Sequence, residues 1–143
     1  MKLQQNTRLA IYSLLEFAAD PTRHITTAEI AGKYKVSSHH LAKVLAELTR
    51  AGIVQSVRGV GGGYRFAGNA HRLTLMDVIS LFEDILPADN DIAENTPVGR
   101  ALASVLSEID EIAKASMRSI TLATMQRMIE RQQRAPAGRS PKR

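Results

Sequence analysis

Apolar positions recur at helical spacing from the start of the chain. Leu9, Ile11, Leu14, Leu15, Phe17 and Ala18 predict a helix over residues 6 to 19, which Asp20-Pro21 ends. In "TTAEIAGKY", Thr26 stands three residues before Glu29, the spacing of a reciprocal capping box, and a short helix over 27 to 34 is expected. Ser37 is placed to cap a third helix, whose Leu41, Val44, Leu45 and Leu48 follow the i, i+3, i+4, i+7 rule of one buried stripe. Gly52 is placed to end it with a left-handed cap. The opposite face of that helix carries His39, Lys43 and Arg50, with the small Ala42 and Ala46 between them.

The period then changes. In "GIVQSVRGVGGGYRF", residues 53 to 57 and 64 to 66 are β-prone and the glycine run between them is a connection, so a hairpin follows the third helix directly. Helix, turn, helix, hairpin is the order of a winged helix-turn-helix. Beyond it, Thr74 and Asp77 cap a fourth helix with Leu75, Val78, Ile79 and Phe82 on its buried side. Residues 85 to 96 are polar and predict a loop. Pro97, favoured at a first helical position, opens a long helix. Its Val98, Leu102, Val105, Ile109 and Ile112 alternate steps of four and three, the seam by which two helices pack along their length. A last short helix carries Leu122, Met125, Met128 and Ile129, and a basic tail rich in Pro, Gly and Ser, residues 132 to 143, is expected to be disordered. The expected division is a winged helix over 1–84, a loop over 85–96, and dimerisation helix plus final helix over 97–131. The fold class is mainly α with a small β-hairpin.

Charge sharpens this picture. Residues 1 to 72 hold ten Lys/Arg against four Asp/Glu, residues 73 to 130 hold four against ten, and residues 131 to 143 hold five against none. A basic first half joined to an acidic middle suits a polyanion-binding unit attached to one that binds something else. Within the hairpin, glycines allow close approach to another backbone, and Arg58 and Arg65 stand at its edges where phosphates would lie. A narrow tip of this kind fits a minor groove. The glycine run matches neither nucleotide-loop pattern that opens a helix.

Cysteine is absent from the chain, which removes disulfides and thiolate ligation of zinc or iron-sulfur clusters. The four histidines (His24, His39, His40 and His71) lack metal-ligand spacing, and no hydrolase or phosphate-loop motif occurs, so neither an enzyme nor a metal or cofactor is expected. No apolar run is long enough to span a bilayer, and the N-terminus lacks a secretory pattern; a cytoplasmic protein without membrane contact is expected.

From the third helix, the wing pattern Arg-Gly-x-Gly-Gly-Gly-Tyr at Arg58 to Tyr64 after "LTRAGIV", and "TLMDVI" at the fourth helix, the sequence resembles the Rrf-two family of winged-helix transcription regulators, from Met1 to about residue 130. The resemblance implies a homodimer crossed by its long helix, a recognition helix in the major groove and a wing in the minor groove. Recognition positions would fall on Ser38, His39, His40, Ala42 and Lys43, with Arg50 on the same basic face. The wing would contribute Arg58, Gly59, Gly61, Gly62 and Arg65, and the dimer seam Val98, Leu102, Val105, Ile109 and Ile112. Well-known members hold an iron-sulfur cluster through three cysteines before the long helix, and some use an acidic residue near the N-terminus, where this chain has Arg8. A cysteine-free chain cannot supply those thiolates. The expectation is a homodimeric repressor occupying a pseudo-palindromic operator in double-stranded DNA, independent of an iron-sulfur cluster. Its signal would be a small molecule between the units, a protein partner, or none. The alternative is a winged-helix protein-interaction module without specific DNA binding.

Overall fold

The computed structural model describes residues 2–84 and 95–135. Its elements are α1 (Gln5–Ala19), α2 (Thr27–Tyr34), α3 (Ser38–Arg50), β1 (Val54–Val57), β2 (Gly63–Phe66), α4 (Leu75–Phe82), α5 (Pro97–Ser119) and α6 (Leu122–Arg134). The fold is a winged helix with a long additional helix. The expected 85–96 loop and the disordered tail lie, except for 95–96 and 132–135, outside the described residues. Within that exception the helix is longer than expected: α6 runs through residues 132 to 134.

Local chemistry sets most boundaries. Ser37 Oγ accepts from the His40 N–H and starts α3. At its end, the Ile53 N–H reaches Leu48 O and the Gly52 N–H reaches Thr49 O, with Gly52 at φ 76°. This pair of bonds is a Schellman motif, and it turns the chain from α3 straight into the wing. Thr74 and Asp77 form both halves of the expected capping box, at 3.2 and 3.0 Å. At α2 only one half forms: Thr26 Oγ1 accepts from Glu29 N–H, whereas the Glu29 carboxylate pairs with Arg23 at 2.7 Å. A fixed cation within reach outcompetes a second bond to backbone.

One core joins α1, α2, α3, the wing, α4 and the start of α6. Leu14, Phe17, Leu41, Leu45, Leu48, Val78 and Leu122 have no or almost no exposed surface. The four apolar residues predicted for α3 are all buried. The final helix, grouped by sequence with the long helix, is anchored to this core: Leu75 N–H bonds to Ile120 O and Leu122 N–H to Leu73 O. These short bonds tie the first turn of α6 to the first turn of α4.

The wing is a two-stranded antiparallel ribbon with Val54 opposite Phe66 and Val57 opposite Gly63. A third segment supports it. Ile25 exchanges both backbone bonds with Tyr64 at 2.8 Å, forming a single-residue bridge. Two of the wing glycines serve this internal packing. A Cβ on Gly63 would lie 2.6 Å from Ile25 O at φ 141°, and one on Gly62 would strike Val57 O. Gly63→Ala is therefore expected to lose about 2–4 kcal/mol of unfolding free energy, through clash and positive-φ strain. Urea denaturation followed by circular dichroism checks it; a loss below about 0.5 kcal/mol, the size of an ordinary surface change, would count against the close approach.

Candidate nucleic-acid interface

The residues expected to read DNA lie on α3 and the wing, and the structure presents them unequally. Ser38, His39 and Lys43 are exposed, and no side-chain partner holds His39 or Lys43 among the described residues. Ala42 is half-buried between the open face and the core. His40 is turned partly inward, with Nε2 buried and without a hydrogen-bond partner. It lies four residues before the buried Val44, one turn away on the same side of the helix. Arg50 is exposed but pairs with Glu47 at 2.7 Å, so the cation at the far end of α3 is partly neutralised.

The two wing arginines also differ. Arg65 Nε and Nη2 donate to Gln55 Oε1 at 3.0 and 2.5 Å across the ribbon, which lays the guanidinium along its outer face. Arg58 is exposed and has no side-chain partner among the described residues. It is therefore the free cation of the wing. Gly59 and Gly61 adopt φ of 101° and 76° with open space around them, consistent with an accessible tip. The sequence reading missed His24, whose Nδ1 lies 3.2 Å from Gly61 O, where Nδ1–H donates to the carbonyl and braces the tip. No periodicity could have found it, because the contact spans 37 residues.

A second polar cluster lies where α1 meets α2. Glu16 accepts from Tyr34 Oη at 2.6 Å and from Lys33 Nζ, and Tyr34 stacks on Tyr12 with centroids 5.1 Å apart. Burial pushes the Glu16 carboxyl up, but the hydrogen bonds from Lys33 and Tyr34 and the Lys33 charge outweigh it, leaving the group below its ordinary 4.5. Burial, and then the bond to Glu16, push the Tyr34 phenol up. A carboxyl lowered by folding adds stability above its unfolded pKa and loses it as pH falls through the folded value. Glu16→Gln should therefore flatten the acid limb of stability below about pH 4.5, as read from urea midpoints between pH 3 and 7. An unchanged acid limb would mean the ionised Glu16 carboxylate contributes nothing to folding.

The seam of α5 is open. Val98, Leu102, Val105, Ile109 and Ile112 are 51–79% exposed, and Leu106, not anticipated, is 51% exposed beside them. Only Gly99 of this 23-residue helix is buried.

An HTH unit with an exposed wing arginine and a long helix whose apolar seam is open agrees with the known proteins this chain is similar to. The Rrf2 family model, described as iron-dependent transcriptional regulator, matches residues 3–128. The chain belongs to the Rrf2 family. It is 46% identical over 135 residues, 94% of this chain and 86% of the relative, to the HTH-type transcriptional regulator BadM of Rhodopseudomonas palustris. It is 33% identical to IscR of Vibrio campbellii, over 62% of this chain and 53% of that protein. Among solved structures it superposes on CymR, the global cysteine regulator of B. subtilis, with a TM-score of 0.78 and 25% identity, covering 90% of this chain and 98% of that one. For T. potens IscR the TM-score is 0.74 at 26% identity, covering 96% and 94% of the two chains.

This Rrf2 protein is thus a transcriptional regulator by family. The iron named in the family description requires ligands, and the residues here do not fit a thiolate-held cluster. The chain has no cysteine, and among the described residues no group of three or more His, Cys, Asp or Glu side chains converges. No described helix is long and apolar enough to cross a membrane.

Proposed function

We propose that this Rrf2 protein is a sequence-specific DNA-binding regulator that acts as a homodimeric repressor by covering a pseudo-palindromic operator, without an iron-sulfur cluster. The observation that carries the reading is the unpaired state of Lys43 and Arg58, two exposed cations on the recognition helix and the wing that no described side chain neutralises. Two exposed cations without a described carboxylate partner, one on the third helix and one on the wing, suit phosphate and base edges. The open α5 seam supports a second copy, since burying such a stripe against its equivalent generates a two-fold and presents two recognition helices to two half-sites. The missing cysteines support cluster independence. His40, turned inward, is assigned a supporting part beneath the reading face; Ser38, His39, Ala42 and Lys43 are the reading positions.

The test is selection from genomic fragments with the purified protein, followed by salt titration on the best fragment. An inverted repeat bound roughly a thousandfold or more above random DNA at physiological salt is expected. Arg58→Gln should weaken fragment and random DNA alike and lower the slope of log affinity against log salt by about one per wing. Equal binding to selected and scrambled DNA would refute specific recognition and favour a protein-interaction role.

A further inference from the structure

The first turn of α6 is tied to the core, but its later turns diverge from α1. Leu122 and Ala123 are buried, whereas Met128 and Ile129 are 49% and 37% exposed. Between these turns, the second half of α1 and the end of α2 lies a cleft of about 680 Å³. That volume falls within the range of small-molecule sites, roughly 300–1,000 Å³.

Its chemistry is specific enough to name a class of ligand. Leu15, Met125 and Ile129 supply apolar surface, and the stacked Tyr12 and Tyr34 supply aromatic surface. The charged side chains lining it are Glu16, Lys33 and Glu130. Lys33 is consumed by Glu16, and the Tyr34 hydroxyl donates to the same carboxylate. Glu130 has no hydrogen-bond or ion-pair partner among the described residues, and the three charged lining side chains sum to a net charge of −1. A carboxylate ligand would meet two carboxylates and a lysine already engaged. Tyr34 is already faced by Tyr12 and by Lys33, whose Nζ lies 5.7 Å from its ring centroid, so a cation with an apolar body would meet Glu130, the ring of Tyr12 and a thioether, the surroundings in which alkylammonium groups are held.

We propose that this cleft is an effector site for an amphiphilic organic cation, an alkyl- or quaternary ammonium compound. The binding claim is independent of the DNA reading; the word effector rests on it. The cleft adjoins Lys33 and Tyr34, and four residues after Tyr34, past the left-handed Lys35 at φ 54°, the recognition helix begins at Ser38. A ligand that parts α6 from α1 and α2 therefore presses on the element that carries α3.

The chain has no tryptophan and three tyrosines, two of them in the cleft, so tyrosine emission reports occupancy directly. The probe is hexyltrimethylammonium, which does not absorb, compared with heptanoate and 1-heptanol by emission and calorimetry on the full chain without DNA. Saturable binding of the cation at one per protomer is expected, at least about tenfold tighter than heptanoate. Glu130→Gln should weaken it about threefold to fivefold, the size of an exposed charge contact. Ala19→Phe, at an exposed lining position outside the core, should abolish it while leaving the thermal midpoint in place. On the selected fragment, saturating probe should change DNA affinity at least about threefold in the parent and not in Ala19→Phe. Equal binding of heptanoate, indifference to Glu130→Gln, or no saturable binding would overturn the site. Cation binding without any change in fragment affinity would overturn the effector role. If no fragment is ever selected, the DNA reading fails while the binding arm still decides the site.

Discussion

In sedimentation equilibrium, the parent protein is expected to run as a dimer at micromolar concentrations and the Leu102→Glu/Ile109→Glu variant as a monomer. Both positions lie on the α5 seam, 51% and 54% exposed in one protomer and outside the core of the winged helix. A two-fold interface repeats each substitution, so four carboxylates would enter an apolar seam. A buried unpaired carboxylate costs several kcal/mol even after relaxation, and the dimer constant should rise by more than about a thousandfold. The fold should survive, because both side chains lie outside the buried core of the described residues, and circular dichroism should be unchanged. DNA binding should fall with assembly. A dimer binds its second half-site as an intramolecular event at an effective concentration near millimolar, and loss of that linkage removes about a hundredfold or more in operator affinity. Leu102→Met/Ile109→Leu, which preserves the apolar seam, should remain dimeric. A double-Glu variant that stays dimeric would place the interface elsewhere.

Lys43→Ala is expected to lower affinity for the selected operator by at least about thirtyfold while random DNA loses much less. The arithmetic follows from the two-fold: a base-edge contact is worth about 1–3 kcal/mol, and each dimer loses two of them. Lysine has donors and no acceptor, so the preference that disappears should be for guanine, at one position in each half-site. Stability should stay within about 0.5 kcal/mol, because Lys43 is exposed and alanine is the best helix former. Fragment selection with the variant checks this. Uniform weakening across all sequences would move Lys43 from base reading to phosphate contact, the behaviour expected of Arg58.

The sequence was most legible where a short segment satisfies itself. The α3 stripe, the Ser37 cap, the Gly52 turn, the Thr74–Asp77 box and Pro97 at the first position of α5 all depend on residues within about one or two turns of one another. The Glu29 box failed in one half because Arg23, which is not in the motif, folds back onto the carboxylate. The exposed basic face of α3 and the wing was legible as a set of residue types, but not the state of each side chain. Lys43 and Arg58 are free, Arg50 and Arg65 are engaged by Glu47 and Gln55, and His40 points partly inward. Which cation is free depends on a neighbour's rotamer, and helical periodicity carries no information about that.

Periodicity and capping chemistry thus established a winged helix with a basic face on its third helix, a glycine-tipped wing and a long apolar-striped helix. Those features arise from contacts between near neighbours in the chain, and a pattern of residue types encodes them directly. The Ile25–Tyr64 bridge, the His24 brace on the wing tip, the attachment of α6 to α4 and the cleft beneath Tyr12 and Tyr34 belong to the folded molecule alone. Each joins segments far apart in sequence through one or two contacts, too few to leave a repeat, yet close packing in three dimensions specifies them.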